Sequence, residues 1–356
     1  MRLKRVLVVG FIALIVVAAI GGVFLQDRLA RLEEPMAISG PDFIELQRGT
    51  SFIGLAGEFE RRGWVEDALW LRIRGRLEPD VTGIQSGYYR VKPGMSPMDL
   101  IRAMARGETH TWTVRIPEGW TFARIRDHLK KQKNLVHALE DTPGEVVMEK
   151  LGREGMHPEG WFFPATYEYH KGDTDLDVLR QAHERMKSVL SRAWSARADD
   201  LPLESAYEAL ILASIIERET PLSEEKPRIA GVFVRRLERG MRLQTDPTVI
   251  YGMGDRYDGT IGRADLREKT PYNTYRIDGL PPTPIGMPGE ASIEAAVNPA
   301  EGEALYFVAR GDGSHYFSRT LEEHNKAVRR FQLNRGEDYR SFPAPDSEES
   351  GGDDNE

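Results

Sequence analysis

The 356-residue chain contains no cysteine. A disulfide framework, a metal site with thiolate ligands and a cysteine nucleophile are therefore excluded, and the redox compartment stays open. The sequence also lacks a Walker-type phosphate loop, a His-Glu-x-x-His zinc motif and a Gly-x-Ser-x-Gly elbow. We expect neither a metal nor a cofactor. A Ser-His-Asp triad stays open, because its members need not be adjacent in the sequence.

An excess of positive charge is absent as well. Lys and Arg number 48 and Asp and Glu 56, which gives a formal net charge of −8. Six of the acids fall within the last eleven residues, so the rest of the chain is nearly neutral. Because a nucleic-acid-binding protein carries a strongly basic footprint, we expect no nucleic-acid partner. The acidic segment 336–356, with its Gly and Ser residues, is predicted to be a disordered tail.

One long hydrophobic run is present near the N-terminus. The twenty residues from Val6 to Leu25 carry no charge, and a helix of that length spans a hydrocarbon core of about 30 Å. Arg2, Lys4 and Arg5 precede the run. Positive charge on that side places residues 1–5 in the cytoplasm and the remainder outside it. A cleaved signal peptide is the alternative, but the run is long and lacks an A-x-A-like exit. We predict a single-pass transmembrane helix over 6–25.

After a polar linker predicted over 26–40, a strand, a glycine turn and a helix recur three times. The turn glycines are Gly49, Gly94 and Gly119, and a Ser or Thr two residues later is placed to cap the next helix. The first lobe, residues 41–107, resembles a LysM-type glycan-binding unit; an α+β lobe without binding function is the alternative. We predict an α+β fold in which an intermediate α+β region (108–200) and a mixed α/β catalytic region (201–335) follow this lobe.

A helix of unusual composition is predicted from Glu204 to Thr220. Apolar side chains cover nearly all of its faces, as in a helix buried in a core, and Pro221 disfavours helical geometry at Thr220. Two carboxylates, Glu217 and Glu219, close this helix. Burial and the negative end of the helix dipole both raise a carboxyl pKa, and a carboxyl that keeps its proton near neutral pH can act as a general acid. The alternative is that both are solvated where the helix frays.

Two irregular segments, Gly240–Gly254 and Pro271–Gly289, are rich in Gly, Pro, Tyr and Asn and show little helical periodicity. Such segments on a rigid helical base are typical of clefts. Their amide, hydroxyl and aromatic groups suit a sugar, whose hydroxyls need polar partners and whose ring faces need flat apolar surfaces. A proline-stiffened structural loop is the alternative interpretation.

Seven motifs resemble, in one order, those of the endolytic murein transglycosylases, the YceG-like family. They are EGWFFPATY (159–167), LASIIERET (212–220), VFVRRL (232–237), GMRLQTDPTVIYGMG (240–254), YNTY (272–275), GLPPTPIGMPG (279–289) and SHYFSRTLEEHN (314–325). The resemblance extends from the predicted anchor to about Leu333. Arg235 stands where the family often has Asn, and Ala165 stands where it often has Asp.

This resemblance implies a single-pass protein of the cell inner membrane with a periplasmic catalytic region. Its activity would be that of a lyase, the non-hydrolytic cleavage of peptidoglycan between N-acetylmuramic acid and N-acetylglucosamine. The product would be a 1,6-anhydro-muramyl end that terminates nascent glycan strands. Peptidoglycan strands are then the substrate, and peptidoglycan synthases are the expected partners.

The resemblance also implies roles for individual residues. Glu219 would be the catalytic residue, acting as acid and then as base, and its Glu-Thr step is similar to the Glu-Ser step of lysozyme-like transglycosylases. The residues expected to bind substrate are Gln244, Asp246, Asn273 and Tyr275, and the supporting residues are Glu217 and Thr220. Two other functions stay open: a non-catalytic, membrane-tethered peptidoglycan-binding scaffold, and a hydrolytic muramidase that uses Glu219 with water as the acceptor.

Overall fold

The computed structural model describes residues 2–333 of the chain, and the acidic tail predicted over 336–356 lies outside the described residues. The chain divides into two compact units. Unit 1 comprises the residues up to Trp112 together with Tyr169–Gly172, and unit 2 comprises Thr113–Glu168 and the chain from Asp173 onward. Helices and short strands make up both units, as the α+β prediction requires.

Unit 1 begins with the long apolar helix. Its elements are α1 (Arg2–Ala30), β1 (Asp42–Leu46), α2 (Phe52–Arg61), α3 (Ala68–Leu77), β2 (Gly87–Val91) and α4 (Pro97–Arg106). By length and composition alone, α1 is sufficient to cross a membrane, a test that signal sequences also pass. A 3₁₀ turn extends the helical conformation to Glu33, so the first half of the predicted linker is helical. An ion pair one turn apart, Asp27–Arg31, supports this extension.

The strands β1 and β2 pair antiparallel, with Ile44 opposite Tyr89. Alternate residues on each strand face a common core, which explains why one face of the pair is buried. That core also takes in one face of each of α2, α3 and α4, through Phe59, Leu71 and Met98. Burial of each such side chain contributes about 1.5–3 kcal/mol to folding.

The three predicted steps from strand to capped helix are confirmed. In each, the side chain of the capping residue accepts a hydrogen bond from a backbone N–H in the first helical turn; these residues are Ser51, Ser96 and Thr121. The turn glycines before them have φ angles of 83°, 86° and 73°, a region that glycine adopts without steric cost.

The strands β3 (Trp112–Arg115) and β4 (Thr166–Tyr169) form a second two-stranded sheet. The other elements of unit 2 are α5 (Phe122–Leu129), α6 (Gly144–Lys150), α7 (Asp175–Ser195), α8 (Ala206–Glu219), α9 (Lys226–Glu238), α10 (Asp246–Met253), α11 (Glu290–Val297), β5 (Tyr306–Ala309), β6 (His315–Ser318) and α12 (Leu321–Val328). The predicted hairpin is confirmed, because β5 and β6 pair antiparallel with Ala309 opposite His315.

The predicted buried helix is α8, which packs against α7, α9, α10 and α11. Every residue from Ala209 to Ile216 is buried. The hydroxyl of Ser205 caps its N-terminus, and Thr220 leaves the helical conformation at its C-terminus. The last residue of this core helix is Glu219, so the fold places a carboxyl at the boundary between the core and the loops that follow.

One helix lies where the sequence predicts irregular chain. α10 begins at Asp246, with Pro247 in its first turn. Proline is tolerated there because the backbone N–H that it lacks would have had no partner within the helix. It has eight residues and ends at Met253, directly before Gly254. The hydrophobic pattern of α10 extends over only two turns, which is too short to predict a helix. Packing against α8 therefore decides the conformation of this segment.

Candidate active site

Glu219 closes α8 and keeps part of its surface accessible, although its carboxyl lies largely within the protein. The hydroxyl of Thr245 donates a hydrogen bond to this carboxyl. Burial raises the pKa of Glu219 to about 7; the hydrogen bond from Thr245 acts in the opposite direction, and the negative charge of Asp246 adds to the rise. Near neutral pH this carboxyl therefore holds a proton in a substantial fraction of molecules.

Thr245, which donates to Glu219, forms a buried cluster with two other threonines, Thr248 and Thr274. The backbone N–H of Thr245 donates to Oγ1 of Thr274 at 3.0 Å, and the hydroxyls of Thr248 and Thr274 lie 2.8 Å apart. The Thr248 hydroxyl also donates to the Thr245 carbonyl at 2.8 Å. The three residues are at most 2 % exposed. The hydroxyl that contacts Glu219 is thus fixed by α10 and by the 272–275 segment together.

Two of the predicted substrate-binding residues lie beside Glu219 and contact each other. The hydroxyl of Tyr275 donates to Oδ1 of Asp246 at 2.7 Å. Burial first, and then the charge of Asp246, raises the pKa of Tyr275 above its ordinary value, so its hydroxyl keeps its proton. Asp246 is exposed. The pair therefore presents a carboxylate and an aromatic ring next to the protonated acid.

Gln244 is exposed and has a φ of 53°, the left-handed region that residues other than glycine rarely adopt. Its backbone N–H donates to the Thr274 carbonyl at 3.2 Å. This conformation costs about 1 kcal/mol, and strained backbone that the surrounding structure maintains is concentrated at functional sites. The strain is stored one residue before Thr245.

Asn273 is buried, and its amide is occupied within the protein. Its Nδ2 donates to the carbonyls of Asp265 (3.0 Å) and Glu268 (2.6 Å). Its Oδ1 accepts a hydrogen bond from the backbone N–H of Tyr275 at 3.0 Å. Asn273 therefore shapes the loop and orients Tyr275.

Glu217 and Glu219 point in different directions, because residues two apart in a helix are separated by about 200° around its axis. Glu217 accepts hydrogen bonds from Nζ of Lys226 at 3.1 and 3.2 Å and from the Ser292 hydroxyl at 2.7 Å. Lys226 is itself 2 % exposed. Glu217 thus belongs to a buried ion pair that ties α8 to α9 and α11.

Thr220, the other predicted supporting residue, is buried just beyond the helix. Its Oγ1 accepts a hydrogen bond from the Leu222 backbone N–H at 3.1 Å. The side chain therefore shapes the turn after α8 and has no hydrogen bond to Glu219.

Arg236 was not among the predicted site residues, yet it faces the acid. Its guanidinium is buried and donates to the carbonyls of Leu243 (2.6 Å) and Leu305 (2.7 Å). Its positive charge slightly opposes the rise in the pKa of Glu219. Its neighbour Arg235, which departs from the family pattern, donates to the carbonyls of Ala300 and Ala304. The VFVRRL motif was the available signal for both.

A model of the YceG-like family matches residues 44–330. The chain belongs to the YceG-like family. It is 30% identical to an endolytic murein transglycosylase of Bacillus subtilis (strain 168), over 89% of this chain and 92% of that protein. It is 25% identical to the protein of that name from Streptococcus pneumoniae serotype 2, over 91% of this chain and 65% of the pneumococcal protein.

A solved structure agrees with this placement. The 2.6 Å crystal structure of a YceG-like protein from Listeria monocytogenes has a TM-score of 0.51 and 29% identity to this chain, with 80% of this chain and 98% of that chain covered. The YceG-like motifs also meet at one place in unit 2. LASIIERET supplies Glu219, GMRLQTDPTVIYGMG supplies Thr245 and Asp246, and YNTY supplies Thr274 and Tyr275.

A metal site is not evident in the part of the chain that the structure describes. Within residues 2–333, no group of three His, Asp or Glu side chains lies close enough to hold an ion. The site around Glu219 consists of a carboxyl with a raised pKa and of hydroxyl, carboxylate and aromatic neighbours.

Replacing Thr245 by Val should raise the pKa of Glu219 further, because the hydrogen bond that favours the carboxylate is lost. The protein should lose about 1 kcal/mol of stability. Carbon-13 NMR titration of the Glu219 carboxyl measures the shift. Thr82→Val is the control, because the Thr82 hydroxyl donates to the Pro79 carbonyl in unit 1 and does not belong to the buried threonine cluster. An equal titration curve in wild type and Thr245→Val would contradict the assignment of this contact.

Proposed function

We propose that this chain is a membrane-anchored lytic transglycosylase that cuts peptidoglycan glycan strands internally, with Glu219 as its catalytic acid and base. The observation that carries the proposal is a buried carboxyl with a raised pKa, on a residue that keeps part of its surface accessible, at the end of a buried helix and beside Asp246 and Tyr275. The name shared by the relatives supports the general activity, a lyase reaction on peptidoglycan.

In the proposed reaction, protonated Glu219 donates its proton to the glycosidic oxygen between N-acetylmuramic acid and N-acetylglucosamine. The C1–O bond breaks as an oxocarbenium-like centre develops at the muramyl C1. The Glu219 carboxylate then takes the proton of the muramyl C6 hydroxyl, whose oxygen bonds to C1. The leaving chain departs with a free hydroxyl, the muramyl unit ends as the 1,6-anhydro sugar, and Glu219 regains its proton.

One carboxyl suffices in this scheme because the acceptor belongs to the substrate. Glycosidases that use water or a covalent intermediate need a second carboxyl as base or nucleophile. An internal hydroxyl has instead a very high effective concentration. Asp246, exposed and negative, is placed to stabilise positive charge on the sugar ring, and Tyr275 offers a ring face to it. Gln244 adds an exposed amide at the same loop.

The N-terminal part supports an anchored enzyme with its own glycan contact. The basic residues Arg2, Lys4 and Arg5, in the first turns of α1, favour a cytoplasmic N-terminus and a periplasmic catalytic region. In unit 1, the order β1–α2–α3–β2, with β1 and β2 paired antiparallel, resembles that of a LysM-type unit. We therefore assign peptidoglycan binding to residues 41–107, and cooperation with peptidoglycan synthases in the inner membrane to the whole chain.

Mass spectrometry of the products tests the function. The full-length protein in detergent is incubated with purified, uncrosslinked glycan strands. Internal cleavage should give fragments with 1,6-anhydro-muramyl ends. Fragments with reducing ends, one water heavier, would overturn the lyase assignment in favour of a muramidase. Binding of strands without any fragment would overturn the enzyme assignment in favour of a scaffold.

The activity should depend on the protonation of Glu219. Since the acid must be protonated and burial raises its pKa to about 7, kcat/KM should be flat in the acidic range below that value. Above it, kcat/KM should fall about tenfold per pH unit. Initial rates on glycan strands between pH 5 and 9 measure this fall in kcat/KM, the alkaline limb of the pH profile. A flat profile up to pH 9 would contradict Glu219 as the acid.

A further inference from the structure

A second buried carboxyl in unit 2 is left without a role by the proposed reaction. Glu159 is 3% exposed and stands at the start of the EGWFFPATY motif. Its Oε1 accepts a hydrogen bond from the backbone N–H of Phe122, the first residue of α5, at 3.0 Å. Its Oε2 accepts one from the Tyr251 hydroxyl of α10 at 3.1 Å. Glu159 thus connects the start of α5 to α10.

The contact continues beyond Tyr251. Tyr251 contacts Tyr272, whose hydroxyl lies 2.9 Å from Oγ1 of Thr283. The rings of Tyr251 and Tyr272 meet edge to face, with centroids 4.9 Å apart. We refer to Glu159, Tyr251, Thr283 and Tyr272 as the Glu159 network. It joins four of the motifs through side chains that are buried or partly buried.

The Glu159 network and the surroundings of Glu219 share two elements. α10 carries Tyr251 in its second turn and begins at Asp246, directly after Thr245. The 272–275 segment carries Tyr272 in the Glu159 network, and Thr274 and Tyr275 beside Glu219. A small shift of α10 or of this segment would therefore move the hydroxyl that contacts Glu219.

The backbone next to Glu159 packs closely against the segment that contains Pro284. Gly160 has a φ of 84°, and a Cβ there would lie 2.5 Å from Cγ of Pro284. The 159–160 step is therefore pressed against the segment that follows Thr283. Any larger residue at 160 would push this segment away and open the Glu159 network.

We propose that Glu159 is a positioning residue that sets the placement of Thr245 against Glu219 through Tyr251 and Tyr272. This inference rests on the proposed function, since it assigns Glu159 a part in the same reaction without contact to substrate. The resulting geometry matters because a displacement of about 1 Å at a catalytic group lowers the rate about a hundredfold.

The charge state of Glu159 bears on the test. Burial raises its pKa to about 7, whereas the hydrogen bonds from Phe122 and Tyr251 and the positive charge of Arg218 act to lower it. Tyr207 of α8 also faces this carboxyl. The Phe122 backbone N–H and the Tyr251 hydroxyl both donate to Glu159. The ionised carboxylate of Glu159 therefore accepts both hydrogen bonds.

The test compares the half-buried Tyr251 with the buried Tyr167 in the full-length protein. Tyr251→Phe removes one donor from Glu159, and Glu159→Gln keeps the shape of the acceptor. Tyr167→Phe is the matched control, because its buried hydroxyl donates to the Phe163 carbonyl, away from α10. The readouts are kcat and KM on glycan strands, the pH profile of kcat/KM and the thermal unfolding midpoint.

We expect Tyr251→Phe to lower kcat about tenfold to a hundredfold, with KM changed less than about threefold. Its alkaline limb should move to higher pH as Thr245 leaves Glu219. Glu159→Gln should recover most of kcat relative to Glu159→Ala, and the Glu159→Gln/Tyr251→Phe double variant should be no slower than Tyr251→Phe. Tyr167→Phe should lower the unfolding midpoint without changing kcat.

Equal kcat and pH profiles in wild type, Tyr251→Phe and Glu159→Ala would overturn the proposal, as would an equal loss of kcat in Tyr167→Phe. Carbon-13 NMR titration of Glu219 in Tyr251→Phe gives a readout that needs no activity. A raised Glu219 pKa there supports the positioning role even if product analysis rejects the transglycosylase reaction. An unchanged Glu219 pKa overturns it even if that reaction is found.

Discussion

The Glu219→Gln protein is expected to release almost no 1,6-anhydro product, with kcat lowered about 10²- to 10⁴-fold. The amide keeps the shape of the side chain and can still accept the hydrogen bond from Thr245, but it has no proton to give to the glycosidic oxygen. It also cannot take the proton of the C6 hydroxyl. Quantification of anhydro ends by mass spectrometry measures the loss.

A matched control exists on the neighbouring helix. Glu238 is the last residue of α9, as Glu219 is of α8, but it is exposed. Glu238→Gln should therefore leave the rate unchanged. Full activity in Glu219→Gln would end the catalytic assignment, and equal loss in both variants would show that the effect is not specific to position 219.

The Glu219→Gln substitution, which should lower the activity, should raise the stability of the protein at alkaline pH. Because the pKa of Glu219 is about 7 in the folded protein and 4.5 in a model peptide, the folded state binds more protons between those values. The free energy of unfolding therefore falls as pH rises through this window. Gln does not titrate, so Glu219→Gln should be more stable than wild type at pH 8, by about 2–3 kcal/mol, and similar to it at pH 4. Unfolding midpoints at both pH values test this.

The largest loss of stability is expected from Lys226→Met. Lys226 pairs with Glu217 inside the protein, and both side chains are at most 5 % exposed. Glu118 lies 3.9 Å from the same Nζ, and burial followed by the charge of Glu217 already raises its pKa. Removing the ammonium leaves two carboxyls facing each other, and a buried charge without its partner costs about 3–5 kcal/mol. Thermal unfolding of the full-length protein measures the loss.

Two further variants isolate the buried pair as the cause. Lys326→Met removes an exposed lysine that pairs with Glu322 on α12, and exposed pairs contribute at most about 1 kcal/mol. Its unfolding midpoint should stay near that of wild type. The Glu217→Gln/Lys226→Met double variant should recover part of the stability, because the buried carboxylate left without its partner is removed as well. A midpoint for Lys226→Met close to wild type would refute the structural role of the pair.

The contrast between Glu217 and Glu219 shows what the sequence pattern alone could decide. The apolar residues from Ala209 to Ile216 predict a buried helix, and Pro221 predicts its end, so a carboxyl at the margin of a core follows from local sequence. What each of the two carboxyls contacts depends on what packs around the helix. Glu217 forms an ion pair with Lys226 and accepts a hydrogen bond from Ser292, whereas Glu219 accepts one from Thr245.

Asn273 and α10 show where the sequence patterns were insufficient. An amide in a loop of aromatic and hydroxyl residues predicts a sugar contact, and the sequence gives no sign that this amide donates to the carbonyls of Asp265 and Glu268. These contacts join residues brought together by the fold of an irregular segment, which has no periodicity to read. α10 is similarly defined by its packing on α8, since eight residues provide too weak a helical pattern.

The sequence by itself determined the elements whose signals are local: the apolar N-terminal run, the three capped helices, the buried helix ending at Glu219 and the β5–β6 hairpin. These depend on residues a few positions apart, so periodicity, capping and turn chemistry are sufficient. Only the tertiary structure decided that Thr245, Asp246, Arg236 and Tyr275 surround Glu219 and that Glu159 holds Tyr251. Those contacts join residues 17 to 92 positions apart, and the closure of the intervening chain, rather than local preference, fixes which side chains meet.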